Sequence, residues 1–290
     1  MRKNKVAKLL ETYFGIEDKY LSYLKIDRNM YLFDNDHRVS KLITFDVETH
    51  NEREENFKIP CLGHGTCIVS LPNCKIFCYG GSTSRVNNWT CIIDRKRFLI
   101  TQLLTPGARS KFAAGIYFEG LVYIFGGDDT SHRAEKFDIL QNRWFRLASV
   151  PAYCRDCSCA LFKNSIYLAL NRESKIYQYD ISLDSYADIE VPNKPFAISC
   201  SEQRGYIFEH YGGSICESEI DNMHAWTPIG VFSAVFHDQV FTRYWENAVY
   251  IGLYAYESDK ITMDFYVYKF DLKRKGEAYK IANLNGISML

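Results

Sequence analysis

The chain has 290 residues with 35 basic and 35 acidic side chains, so its formal net charge is zero. A neutral chain has no overall field that recruits nucleic acid or an anionic membrane, and we expect neither as a partner. Ten cysteines without regular pairing, no apolar leader and no stretch long enough to span a membrane predict a cytoplasmic protein with reduced thiols.

The N-terminal 19 residues are predicted to be an extension that precedes the folded domain. Within it, residues 8–14 match the apolar spacing of a short amphipathic helix only weakly. The rest of the chain, residues 20–290, is predicted to form one domain built from repeats.

A residue pair, aromatic or aliphatic followed by aspartate, recurs six times in this domain. The successive steps are 48, 44, 42, 41 and 50 residues, which is the repeat length of four-stranded propeller blades. Each aspartate should open the hairpin between the third and fourth strands and accept a hydrogen bond from the N–H two residues later. The aspartates are Asp46, Asp94, Asp138, Asp180, Asp221 and Asp271.

An apolar run typical of a buried strand precedes each of these pairs. Such runs suit strands that are covered on both faces, and 21 Tyr and 19 Phe supply large side chains for the wedges between blades. The runs are residues 30–33, 75–79, 122–125, 166–169, 205–208 and 248–251. The pattern predicts an all-β fold, a six-bladed β-propeller of four-stranded antiparallel blades.

The third repeat resembles the kelch repeat, in which a double glycine ends one strand and Tyr is followed by six residues and Trp. Gly126-Gly127 supply the glycines, and Phe137 and Trp144 keep the seven-residue step. Tyr179 and Tyr186 keep the same step in the fourth repeat. The second repeat keeps the frame without aromatics, in Gly80-Gly81, Ile93 and Ile100. The resemblance implies a ring of blades around a channel, although the sequence does not reveal how the ring closes.

The resemblance also implies that a partner binds loops on one face of the propeller. These loops join the second and third strands of each blade, or join successive blades, and they carry Arg or Lys in adjacent blades. We expect this arc to bind an acidic or phosphorylated peptide, because guanidinium groups form paired hydrogen bonds with carboxylate and phosphate. The candidate binding residues are Arg85, Arg109, Lys111, Arg133, Arg155, Arg172 and Lys194. The alternative is a solvated rim neutralised by Asp128, Asp129, Asp156 and Glu173.

Catalytic and metal sites lack a recognisable motif. The densest thiol cluster, residues 154–159, and a conceivable second half in residues 61–67 could supply zinc ligands. However, the pattern places Cys157 and Cys159 on the inner strand of the fourth blade, where a free cysteine behaves as a small buried apolar residue. We therefore expect no metal, no cofactor and no enzymatic activity.

The predicted function is that of a protein-interaction module, a scaffold or adaptor for a peptide or protein. Two alternatives stay open. Some kelch-like propellers are enzymes, so the resemblance allows a small-molecule or sugar-processing enzyme of the epimerase type with a site at the channel mouth. The third possibility is a cytoskeletal or structural cross-linking protein. The 19-residue extension is too short for the cullin-adaptor or F-box domains that precede some kelch propellers, which argues against a self-contained ubiquitin-ligase adaptor.

Overall fold

A computed structural model describes most of the predicted domain and none of the N-terminal extension, so the predicted helix lies outside the described residues. The described ranges are 29–36, 39–57, 65–81, 90–104, 111–127, 132–170, 173–201, 203–209, 213–219, 222–231, 240–245, 247–256 and 263–287. Within these ranges, the regular secondary structure longer than one residue consists of β-strands. No helix there is long and apolar enough to cross a membrane.

Six antiparallel sheets follow one another along the chain and form the blades of a propeller. Blade 1 has β1 (Asn29–Asp36), β2 (Val39–Asp46) and β3 (Glu52–Phe57). Blade 2 has β4 (Cys67–Leu71), β5 (Lys75–Tyr79), β6 (Thr90–Asp94) and β7 (Leu99–Gln102). Blade 3 has β8 (Ala114–Phe118), β9 (Leu121–Phe125), β10 (Ala134–Asp138) and β11 (Arg143–Arg146).

The second half of the chain repeats this plan. Blade 4 has β12 (Ser158–Phe162), β13 (Ser165–Ala169), β14 (Lys175–Asp180) and β15 (Ser185–Glu190). Blade 5 has β16 (Pro195–Cys200), β17 (Arg204–Glu209), β18 (Ser214–Glu219) and β19 (Thr227–Val231). Blade 6 has β20 (Val240–Trp245), β21 (Ala248–Tyr256), β22 (Met263–Asp271) and β24 (Tyr279–Ile287), and β23 (Gly276–Glu277) lies in its last connection.

In blades 2 to 6 the strands are hydrogen-bonded in chain order, and the first strands of neighbouring blades contact one another, so the first strand is innermost and the fourth is outermost. In blade 1 the three described strands correspond to the second, third and fourth strands of the other blades, because Asp46 ends β2 as Asp94 ends β6. The predicted six-bladed architecture is confirmed.

Clusters of buried apolar side chains fill the six spaces between neighbouring blades. Between blades 2 and 3, for example, Phe77 packs with Val122 and Phe137. The cluster that closes the ring joins blade 1 to blade 6, where Phe45 packs with Tyr250. Within the described residues, apolar packing of the last blade against the first therefore closes the ring, which is the step that the sequence did not reveal.

The aspartates that mark the repeats bind the backbone as predicted. Asp138 Oδ1 accepts hydrogen bonds from the N–H groups of Leu140 (2.9 Å) and Gln141 (2.8 Å). The same pair of bonds, to the residues two and three later, is formed by Asp46, Asp94, Asp180 and Asp271. Asp221 lies outside the described residues. These five carboxylates fix the turns between third and fourth strands, which is a structural role.

The double glycine of blade 3 is required by both backbone conformation and close packing. Gly126 and Gly127 have φ angles of 66° and 109°, in the left-handed region that favours glycine. A Cβ on Gly126 would lie only 1.7 Å from the carbonyl oxygen of Cys154. The glycines therefore let the loop that joins blades 3 and 4 lie directly on the end of β9.

A short strand clamps blade 6 to blade 5. β23 pairs in parallel with the outer strand β19, and Gly230 lies so close to Gly276 that a Cβ on Gly230 would be 2.3 Å from its carbonyl oxygen. Beside it, Lys275 Nζ and Arg204 Nη1 both lie 2.8 Å from Glu217 Oε1. The clamp covers the outer edge of blade 5.

Candidate functional site

The structure places four of the seven predicted binding residues, and all four lie in the expected loops. Lys111, Arg155 and Lys194 lie in the connections between blades 2 and 3, 3 and 4, and 4 and 5, and Arg133 immediately precedes β10. The other three, Arg85, Arg109 and Arg172, lie outside the described residues. We call the surface formed by the inter-blade loops and the loops between second and third strands the loop face.

Successive inter-blade loops on the loop face are bonded to one another. Phe112 N–H donates to the Gly65 carbonyl (2.8 Å), and Asp156 N–H donates to the Phe112 carbonyl (3.2 Å). Gly127 N–H donates to the Cys154 carbonyl (2.8 Å), which ties the end of β9 to the same loop. These bonds position the backbone of three blades relative to one another and give the rim a fixed shape.

Arg133 is held by an acidic residue of the next strand. Its Nη2 atom lies 2.5 Å from Glu135 Oε1, and the Glu135 side chain is buried. The side chain of Arg133 keeps 32% of its surface exposed. A ligand anion would therefore share this guanidinium with Glu135, a neutralising residue that the sequence pattern did not identify.

Arg155 packs across the neighbouring inter-blade loop. Its Cζ atom lies 5.2 Å from the centroid of the Phe112 ring, a cation–π arrangement. Its Nε atom lies 3.3 Å from Asp156 Oδ2, and 35% of the arginine side chain is exposed. Asp156 is among the acidic residues that the sequence identified as able to neutralise the arc, and it lies beside the guanidinium.

The two lysines differ in exposure. Lys111 is half-buried, and its Cβ lies against Gly65. Lys194 is exposed at the start of blade 5. Of the four described basic residues, Lys194 is thus the most accessible to an incoming anion.

A pair of buried thiols lies in the same loop as Arg155. The sulfur atoms of Cys154 and Cys157 are 2.9 Å apart, and Cys157 Sγ lies 3.8 Å from the Phe125 carbonyl oxygen. Burial raises the pKa of the Cys154 thiol well above its usual value, and its hydrogen bond with Cys157 raises it further. Cys159 lies on the inner strand β12, as predicted, with Cys157 one residue before that strand. In the described ranges, no three His, Cys, Asp or Glu side chains are arranged to hold a metal ion.

One buried carboxylate of the loop face was missed by the sequence pattern. Glu209 ends β17 at the position of the first glycine of blade 3, and its side chain is only 1% exposed. Asn193 Nδ2 donates to its Oε2 atom (2.8 Å), whereas its Oε1 atom has no hydrogen-bond partner. Burial raises the pKa of the Cys216 thiol to about 12, and the neighbouring Glu209 contributes to this rise.

A comparison of the sequence with protein-family models found no match, and a comparison with curated proteins found no significant similarity. The six-bladed propeller is therefore established by the structure, and the functional interpretation depends on the loop face itself.

Proposed function

We propose that the chain is a protein-interaction scaffold of the kelch type that binds its partner through the loop face. The observation that carries this proposal is the bonding between successive inter-blade loops, through Phe112, Asp156 and Cys154. Binding residues are commonly placed on loops that a rigid scaffold positions. A rim of this kind presents its side chains with little loss of conformational freedom when a partner binds.

The proposed ligand is an acidic or phosphorylated peptide segment. Arg155 and Lys194 lie in consecutive inter-blade loops of the same face, and the planar guanidinium suits a carboxylate or phosphate. Because Asp156 and Glu135 already neutralise part of the charge on this face, we expect binding to be moderate and to weaken with added salt.

The enzymatic alternative has weaker support. Acid–base chemistry on a sugar needs two positioned groups. The buried carboxylates described on this face are Glu209 and Glu135, and Glu135 is engaged by Arg133. Glu209 keeps one oxygen, Oε1, without a hydrogen-bond partner, but the side chain lies beneath the surface. A binding function therefore accounts for more of the site than catalysis does.

The test compares two charge-reversed proteins of equal net charge. One carries Arg155→Glu and Lys194→Glu on the loop face. The other carries Lys96→Glu and Arg97→Glu, two exposed residues in the β6–β7 turn on the opposite face. Both are assayed against immobilised acidic, phosphorylated and neutral peptides, and by cross-linking mass spectrometry in cell lysate.

We expect the first variant to lose acidic-peptide binding and the second to keep it. Thermal unfolding of both proteins establishes that they are folded. Equal binding by the two variants would exclude the loop face, and binding of neutral peptides alone would exclude the acidic ligand.

A further inference from the structure

The outer strands of the six blades differ in how they are protected from pairing with another chain. The fourth strand of a blade presents unpaired N–H and C=O groups along one side, and proteins usually block such an edge with charges, proline or a covering segment. The described outer strands are β3, β7, β11, β15, β19 and β24.

Five of these six strands carry a protective feature. β19 contains Pro228 and is covered by β23. The other four carry charged side chains: Glu52, Arg53, Glu54 and Glu55 in β3, Arg143 and Arg146 in β11, Asp188 and Glu190 in β15, and Lys280 in β24. Pairing of any of these edges with a copy of itself would be opposed by charge or by β23.

Among the described residues, the outer strand of blade 2 has none of these features. Residues 98–104, which include β7, contain no charged residue, proline or glycine. Three large apolar side chains of this segment are unusually exposed, Phe98 at 68%, Leu99 at 53% and Leu104 at 62%. An exposed apolar edge strand without charges is a pairing surface.

The hydrogen bonds of β7 determine which of its backbone groups face outward. Leu103 N–H donates to the Thr90 carbonyl (2.9 Å), and the β6–β7 register continues through Ile92 opposite Thr101. Because inward and outward groups alternate along an antiparallel strand, the N–H and C=O groups of Ile100 and Gln102 point away from β6.

We propose that the β7 edge pairs with β7 of a second copy of this chain. An antiparallel arrangement with Ile100 of one copy opposite Gln102 of the other uses all four outward groups of each strand in two reciprocal hydrogen-bonded pairs. The two-fold axis then passes between the two Thr101 residues, and Leu99 faces Leu103 of the other copy. In this register the strand is complementary to a copy of itself. Because residues 98–104 carry no charge, pairing with an identical strand brings no like charges together.

The pairing surface is small, so the dimer should be weak. A four-residue strand with flanking apolar side chains buries less than the roughly 1,200 Å² of a standard interface, which is typical of transient association. Because β7 lies on the outer edge of blade 2, this pairing does not depend on the peptide-binding function of the loop face.

The test uses Thr101→Lys, which places two like charges opposite each other on the proposed axis. The matched control is Ala187→Lys, an exposed residue seven positions after Asp180, as Thr101 is seven positions after Asp94. Sedimentation velocity over about 5–500 µM protein measures the dissociation constant of each protein alone. We expect a dimer for the unmodified chain and the control, and a dissociation constant at least about tenfold larger for Thr101→Lys.

Amide hydrogen exchange of the unmodified chain gives a readout that does not require a folded variant. The Ile100 and Gln102 amides should exchange more slowly at high protein concentration, whereas the Thr101 amide, already bonded to β6, should not change. A monomer throughout the concentration range, or a dimer that Thr101→Lys leaves intact, would overturn the proposal. Protection of Ile100 and Gln102 only when another protein is added would also overturn it, and would assign the edge to that protein.

Discussion

The indole Nε1 of Trp144 donates a 2.7 Å hydrogen bond to the carbonyl oxygen of Leu104, which belongs to the preceding blade. The equivalent aromatic residue of blade 4, Tyr186, donates in the same way to the Ala148 carbonyl of blade 3 (3.2 Å). In both blades the ring also packs on the aromatic residue seven positions earlier, with centroids 5.0 Å apart for Phe137 and Trp144 and for Tyr179 and Tyr186. The aromatic residue at the end of the seven-residue step therefore donates a hydrogen bond that links its blade to the preceding blade.

Trp144→Phe should remove this inter-blade bond while keeping an aromatic ring. We expect a loss of about 1 kcal/mol in the free energy of unfolding, because the Leu104 carbonyl loses its partner. Urea denaturation measures the effect.

The matched control is Trp226→Phe. The buried indole nitrogen of Trp226 has no hydrogen-bond partner in the structure, so its removal breaks no bond. Equal losses for Trp144→Phe and Trp226→Phe would show that the inter-blade bond contributes nothing.

Asp138→Ala should destabilise the protein by about 1 kcal/mol, because Leu140 and Gln141 lose their shared acceptor. Leu140 is 93% exposed, so little packing is lost with the turn. Asp138→Asn keeps a side-chain oxygen and should recover most of the stability in the same denaturation experiment. If Asn performs no better than Ala, the negative charge of Asp138 matters more than its hydrogen bonds.

One position of these turns could be predicted from the sequence and another could not. The spacing of the aspartates predicted the repeat, the number of blades and the hydrogen bond that fixes each turn. However, the residue four positions after each described aspartate also has a positive φ, and its identity varies among His50, Phe98, Asn142, Asp184 and Lys275. Because Phe and Lys carry no preference for that conformation, composition alone could not identify the position.

The sequence predicted which loops form the loop face, but it did not predict which residues of that face contact one another. Lys111, Arg133, Arg155 and Lys194 lie in the expected loops, since loop membership follows from the repeat. The ion pair between Arg133 and Glu135 depends on the direction in which the Glu135 side chain leaves its strand. The sequence predicted the strand but not that direction. The β19–β23 pairing could not be predicted either, because Gly276–Glu277 has no strand pattern.

Gly126→Ala should be strongly destabilising, by about 3 kcal/mol or more, because the new Cβ would overlap the Cys154 carbonyl oxygen. Gly120→Ala is the control: Gly120 also has a positive φ, of 85°, yet nothing lies within 4 Å of the position that a Cβ would occupy there. It should cost only the roughly 1–2 kcal/mol of the left-handed conformation.

Displacement of the 154–157 loop in Gly126→Ala should also speed the reaction of Cys154 and Cys157 with a thiol reagent, measured by peptide mass spectrometry. Equal stability of the two glycine variants would contradict the close packing of this loop on β9.

Stability should fall in alkaline solution because buried tyrosines keep their protons in the folded state. Burial, with smaller contributions from Glu119 and Asp184, raises the pKa of Tyr123 from 10.0 to about 12. Burial also raises the pKa of Tyr179, and its 2.8 Å hydrogen bond to Asp184 Oδ1 contributes. Between about pH 10 and pH 12 the unfolded chain therefore binds fewer protons than the folded chain, and the free energy of unfolding decreases as pH rises.

Tyr123→Phe tests this dependence at one residue. It removes one of the groups that hold a proton only in the folded state, so its stability should decline less steeply than that of the unmodified chain above pH 10. Below pH 9 the difference between the two proteins should stay constant, because Tyr123 is protonated in both folded and unfolded states. Thermal unfolding at a series of pH values, with phenolate absorbance recorded in parallel, measures both quantities. Parallel stability curves across pH 10–12 would mean that Tyr123 ionises as readily in the folded protein as in the unfolded chain.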